Sequence, residues 1–181
     1  MTYFAKTLRK FKNNDRGAVA LEVIVLMPLL VLWLVGSNAF FDAFKTYLRA
    51  SKASYTVVDL VSRQSEIGPN YMRNVSSIFD SIVDADGADS DIVISSIHRL
   101  NGETVVHWSA SRNGGAGLTS AGQIPMEYIP ELVEAEYVVL LQSSVPFIPI
   151  FSWAQLEATT FTNTIVVTPR FDSRVTYELD R

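Results

Sequence analysis

One apolar run sets the terms for this chain. Residues 18–41 contain a single charged side chain, Glu22. As a helix, such a run is roughly 36 Å long, enough to cross the hydrocarbon core of a bilayer with some tilt. Pro28, near its middle, removes one helix hydrogen bond and favours a kink. Hydrophobic residues make up 48% of the chain, and this run is where they concentrate.

Charge is distributed unevenly around the run. Residues 1–17 carry Lys6, Arg9, Lys10, Lys12 and Arg16 against Asp15 alone, a balance of +4. The other 164 residues carry 10 basic and 18 acidic side chains, a balance of −8. A basic tip, an apolar span and an acidic remainder predict a single-pass protein with its N-terminus in the cytoplasm. An acidic domain argues against nucleic acid as a partner. The absence of cysteine excludes disulfides, thiolate metal sites and cysteine nucleophiles.

Beyond the run, apolar residues continue at helical spacing through Phe44, Leu48, Ser51, Tyr55, Val58 and Val61. This predicts one long helix, half apolar and half amphipathic, stopped by Gly68-Pro69. A second helix is expected from Pro69 to about Val83, with Met72, Val75, Ile78, Phe79 and Ile82 as its apolar stripe. Residues 84–87 then read as a turn. Asn101-Gly102 between two β-prone runs is the strongest short hairpin signal. A two-residue turn there sets Leu100 opposite Glu103 and Ile97 opposite Val106, and puts Val93, Ile97, Val106 and Trp108 on one face. Residues 111–123 form a Gly/Ser-rich loop. A short helical turn is expected within 125–134, and strands at 135–143 and 159–168, with Pro146 and Pro149 interrupting the chain between them. The expected fold class is α+β: a long N-terminal helix packed on a small antiparallel sheet, with one further helix. The expected division is residues 1–17 as a basic leader, 18–41 as the span and 42–181 as one domain.

Glu22 is the informative residue. A carboxylate inside an apolar span costs roughly 2.5–3.5 kcal/mol on insertion scales and marks function. Cleavage of the Gly17–Ala18 bond supplies a remedy, because Ala18 then carries a free α-ammonium. On a neighbouring subunit shifted along the helix axis, that cation meets the Glu22 carboxylate, and two groups costly alone in lipid neutralise each other.

Here the sequence resembles a family. Residues 16–22, Arg-Gly-Ala-Val-Ala-Leu-Glu, followed by Met27-Pro28-Leu29-Leu30, look like the processing site and membrane helix of TadE/TadF-type pseudopilins of tight-adherence (Tad/Flp) pili. Thr168-Pro169-Arg170 is similar to the Pro-Arg ending of many such proteins. The chain is too short for the additional von Willebrand-like domain of the larger TadG proteins. The resemblance implies a pilin-like fold, a leader removed after Gly17 by a prepilin peptidase of the inner membrane, and assembly with other pilins through residues 18–41. It implies a role in adhesion and no enzymatic activity.

Other readings of the same residues stand beside this one. An uncleaved signal anchor retains Met1 and suits a membrane protein with a periplasmic sensor or ligand-binding domain. A conventional secretory signal would be cut after Ser37-Asn38-Ala39, before Phe40. The mature N-terminal residue (Ala18, Met1 or Phe40) separates the three.

The remaining clusters read as structure. Asp84, Asp86, Asp89 and Asp91 lack the spacing and closing glutamate of a calcium loop. His98 and His107 have no further metal ligand in sequence. Gly114-Gly115-Ala116-Gly117 lacks the lysine of a phosphate loop. No hydrolase nucleophile motif occurs, and no cofactor signature is present. Glu127, Glu131, Glu134 and Glu136 read as a solvated acidic face. Phe147, Ile148, Ile150, Phe151 and Trp153 read as core or membrane-proximal packing.

Overall fold

A computed structural model describes residues 18–84, 90–112, 117–149 and 158–178. The chain divides into two compact units, Met1–Asp42 and Ala43–Arg181. Helix α1 (Ala18–Ser62) is followed by the short strand β1 (Glu66–Ile67) and helix α2 (Pro69–Val83). Strands β2 (Asp91–Leu100), β3 (Glu103–Ser111), β4 (Tyr137–Phe147) and β5 (Thr159–Val167) follow, then β6 (Thr176–Tyr177). The described chain is α+β, with one long apolar N-terminal helix and a small antiparallel sheet.

Helix α1 is a single helix of 45 residues with Pro28 inside it. It ends at Ser62, earlier than the Gly68-Pro69 stop that the sequence suggests, because the backbone then turns to form β1. That strand pairs in parallel with β6, Glu66 opposite Thr176 and Ile67 opposite Tyr177. Chain after β5 returns to cap the helix: the Arg170 N–H donates to the Ser62 carbonyl at 2.8 Å, and the Arg170 guanidinium pairs with Asp59 at 3.0 Å. Helix α2 starts with Pro69 just inside its N-terminus and ends on Asp84 at φ 60°. Proline suits that first position because its missing N–H has no partner there, and the left-handed cap terminates the helix.

The main sheet has the order β3-β2-β4-β5. One of its faces carries Ile92, Ile94, Val139, Leu141 and Val145, packed against Ala50, Ala53, Val57, Val58 and Val61 of α1 and Met72, Val75, Phe79 and Val83 of α2. The buried side of α1 is therefore built from small residues, which bring its backbone close to the sheet. The larger side chains expected to face the core, Phe44, Leu48 and Tyr55, are exposed. The opposite face of the sheet carries Ile97, Val138 and Leu140, covered by Ile124 and Leu132. That covering segment contains a one-turn 3-10 helix, Ala121–Gln123, and successive turns where a helical turn was expected at 125–134.

The hairpin forms with the anticipated turn. Asn101 has φ 53° and Gly102 φ 80°, the two positive values of the turn type that Asn-Gly favours. Leu100 opposes Glu103 and Ile97 opposes Val106, but Ser96 opposes Trp108. His107 is therefore an extra residue, a β-bulge. The bulge moves Trp108 to the face of Ile92 and Ile94, where its indole N–H donates to the Val175 carbonyl at 2.7 Å. The expected face of Val93, Ile97, Val106 and Trp108 is corrected in this one member. Strand β4 also continues through Pro146, which pairs with Thr160 of β5. The β2 ladder reaches only Ser144, so the missing proline N–H leaves no gap in it.

Candidate functional site

Within the first unit, α1 begins at Ala18, and Glu22 lies one turn on. Gly17 lies outside the described residues. The apolar side chains around Glu22 are open: Leu21, Val23, Ile24 and Val25 are exposed, as are Leu29, Leu30, Trp33 and Leu34. The helix has a mean hydropathy of 2.3 over its most apolar window, with none of that window buried. Among the described residues it is long and apolar enough to cross a membrane. A contiguous apolar surface of this size is unstable in water, so lipid or other apolar helices must cover it. Glu22 is the one charged side chain between Ala18 and Phe41, and no basic side chain lies within a turn of it. Proline at 28 takes away the hydrogen bond to the Ile24 carbonyl. Trp33, Gly36, Ser37, Phe40 and Phe41 line a shallow open groove on one side of the helix, where the absence of a side chain at Gly36 leaves room.

In the second unit the singled-out clusters resolve into structural roles. Asp84 pairs with Arg49 at 2.9 Å, while Asp86 and Asp89 lie outside the described residues. Among the described residues no group of three or more potential metal ligands converges. Glu134 accepts hydrogen bonds from the backbone N–H groups of Asn101 at 2.6 Å and Gly102 at 3.2 Å, closing the hairpin turn. Glu136 accepts from the Val133 N–H at 2.8 Å. Phe147 is buried and Ile148 exposed; Ile150, Phe151 and Trp153 lie outside the described residues, as do Gly114, Gly115 and Ala116.

The two histidines meet at the bulge. Their ring centroids are 5.6 Å apart, and His98 stacks on Tyr137 at 4.7 Å. Burial, the neighbouring His98 and the nearby Arg174 hold the His107 pKa below its ordinary value. Arg174 makes this a poor place for a metal cation, since a second positive charge adds repulsion. Asp59 is also shifted, downward, chiefly by its hydrogen bond from Arg63. Tyr71 is shifted upward by burial, and its hydroxyl donates to the Leu60 carbonyl at 3.1 Å.

Sequence reading missed one feature. An open depression of about 260 Å³ is lined by Asp91, Val93, Gln142, Ser143, Ser144, Thr162, Asn163 and Thr164. Asp91 Oδ1 is buried without a hydrogen-bond partner; Asn163 Nδ2 is likewise unpartnered but on the opposite, helix-covered face, in the row of Ile92 and Ser143. Those residues come from three strands and share no sequence pattern, so only the sheet register reveals them. Ser51 of α1 donates to Asn163 Oδ1 at 3.0 Å, and the hydroxyls of Ser54 and Ser143 pair at 2.8 Å.

No protein-family model, no curated protein and no solved structure matches this chain.

Proposed function

We propose that the chain is a pilin-like subunit of a tight-adherence (Tad/Flp) pilus machine, anchored in the bacterial inner membrane. A prepilin peptidase cuts after Gly17, leaving Ala18 as the new N-terminus. The N-terminus lies on the cytoplasmic side before cleavage, and the domain of residues 42–181 lies in the periplasm or on the assembled pilus. Other pilins pack on residues 18–41. The protein acts by assembly, not catalysis.

The observation that carries this reading is Glu22 on an otherwise apolar, uncovered helix one turn from Ala18. Four residues of helix amount to about 6 Å of rise. A neighbour displaced along the axis by about that distance brings its Ala18 ammonium to the Glu22 carboxylate, and the pairing sets the stagger between subunits. The exposed Phe44, Leu48 and Tyr55 extend an apolar surface for partners beyond the span. The test is Glu22→Val in cells that assemble pili. The variant inserts in the membrane at the wild-type level, but its cross-linking to other pilins and the yield of pili fall at least tenfold. Normal pili from Glu22→Val would contradict the pairing.

A second reading is a membrane-anchored periplasmic sensor or ligand-binding domain. It is favoured by the open depression beside the unpartnered Asp91 carboxylate oxygen. Such a protein keeps Met1 and needs no processing.

A further inference from the structure

The two edges of the main sheet differ in how they resist pairing with another chain. Strand β3 is interrupted by the bulge at His107, begins at Glu103, and has the Leu118 N–H bonded to Ser109 Oγ at 2.8 Å. A bulge and a charge are ordinary ways of blunting a sheet edge. Strand β5 has neither. Its nine residues, Thr-Thr-Phe-Thr-Asn-Thr-Ile-Val-Val, include no charge, glycine or proline. Its register with β4 is unbroken from Val139–Val167 to Phe147–Thr159. Among the described residues, no backbone group of β5 is bonded to anything other than β4. A long, regular, uncharged edge of this kind is a template for another strand.

The sequence of β5 indicates which strand. Read about Asn163, it is nearly the same in both directions as a pattern of side-chain types. In an antiparallel pair centred there, Thr162 faces Thr164 of the second copy, Phe161 faces Ile165, and Asn163 faces itself. Thr–Thr and aromatic–β-branched pairs are among the favourable cross-strand combinations. No like charges oppose each other. Paired residues also fall on matching faces: Phe161 and Ile165 alternate with Thr162 and Thr164 along the strand, so the helix-covered faces of both sheets continue on one side. Two-fold pairing is closed, which prevents growth into a filament of sheets.

We infer that β5 is a self-association edge, through which two copies of this chain join antiparallel about Asn163 into one continuous sheet. This goes beyond the proposed function and does not depend on Gly17, Ala18 or Glu22.

The test uses the full chain in a mild detergent, with mass measured by light scattering. Wild-type protein runs as a dimer. Thr162→Lys with Thr164→Lys places lysines opposite lysines, and the dimer is lost while circular dichroism stays at the wild-type value, unfolding stays cooperative and the melting temperature no longer rises with protein concentration. Thr162→Lys with Thr164→Glu places opposite charges across the same pairs and keeps the dimer, which separates lost pairing from lost folding. The chain has no cysteine, so Asn163→Cys gives an oxidant-dependent dimer on a non-reducing gel. Thr159→Cys does not, since the two thiols are then about 27 Å apart along the strands. A monomeric wild type, a dimer that survives the lysine pair, or equal cross-linking at positions 159 and 163 would each overturn the inference.

Discussion

Arg112, just past the end of β3, is clasped to Asp80 of helix α2, with one guanidinium nitrogen 2.6 Å from Asp80 Oδ1. The same nitrogen donates to the Ser90 carbonyl at 3.0 Å, so a single side chain ties α2 to the start of β2. The side chains of Arg112 and Asp80 are only 11% and 17% exposed. Removing one partner from a buried pair leaves a charge without compensation, which costs more than the pair contributes. Arg112→Ala is expected to lower unfolding stability by about 3 kcal/mol. Arg112→Met with Asp80→Leu is expected to cost less than the single change. Urea unfolding of the single and double variants measures both.

The hairpin depends on a residue distant in sequence. Glu134 accepts both turn N–H groups, and Gly102 sits at φ 80°. Glu134→Ala is expected to cost about 1 kcal/mol, the net worth of such bonds at a surface. Gly102→Ala is expected to cost about 1 kcal/mol through backbone strain. Thermal melts of the two variants, compared with the double variant, test whether the effects share the turn.

The His98–His107 pair gives stability a dependence on pH. The His107 pKa is lowered by burial first and by His98 and Arg174 after it. The unfolded chain therefore takes up a proton at this site at a higher pH than the folded chain. The contribution to stability is fully present above about pH 6.5 and is lost as pH falls below it. Melting temperatures between pH 7.5 and 5 should fall on acidification, and His107→Gln should flatten that fall. His107→Gln leaving the pH profile unchanged would show that the pair does not set it.

A glycine guards the loop beside β3. A Cβ at Gly117 meets the Ser109 side chain and lies 3.0 Å from the Ser109 backbone carbon. Gly117→Ala should therefore lower the melting temperature, and Ser109→Ala should recover part of the loss, because it removes the hydroxyl that the new methyl meets. Ser109 Oγ also bonds Ser95 and the Leu118 N–H, so the rescue is incomplete.

Much of the local structure could be read directly. The long helix follows from the apolar run and the spacing after it, and the hairpin from Asn101-Gly102, because both signals act over a few residues. What was hidden depends on contacts distant in sequence. The bulge at His107 turns Trp108 toward Val175, a choice made by packing and not by the alternation of residues. The buried side of α1 contains Val58 and Val61, which the helical spacing names, but also Ala50, Ala53, Ser54 and Val57, which it does not, because close approach to the sheet selects small side chains. A search for large apolar residues instead finds the exposed Phe44, Leu48 and Tyr55. Pro146 reads as a strand breaker, yet it is tolerated because β2 ends opposite Ser144. The two-residue strands β1 and β6 have no period to detect. The depression beside Asp91 was invisible too, since Asp91, Gln142 and Thr164 meet only through the register of three strands. Glu22 needed no fold at all: its cost in an apolar helix is evident from composition alone.

The most direct measurement is the N-terminal residue of the mature protein, recovered from membranes of cells with a working prepilin peptidase. The account predicts a chain that begins at Ala18, with the longer form accumulating when the peptidase is inactivated. Protein beginning at Met1, unaffected by the peptidase, would leave Glu22 without its proposed partner and contradict the assignment.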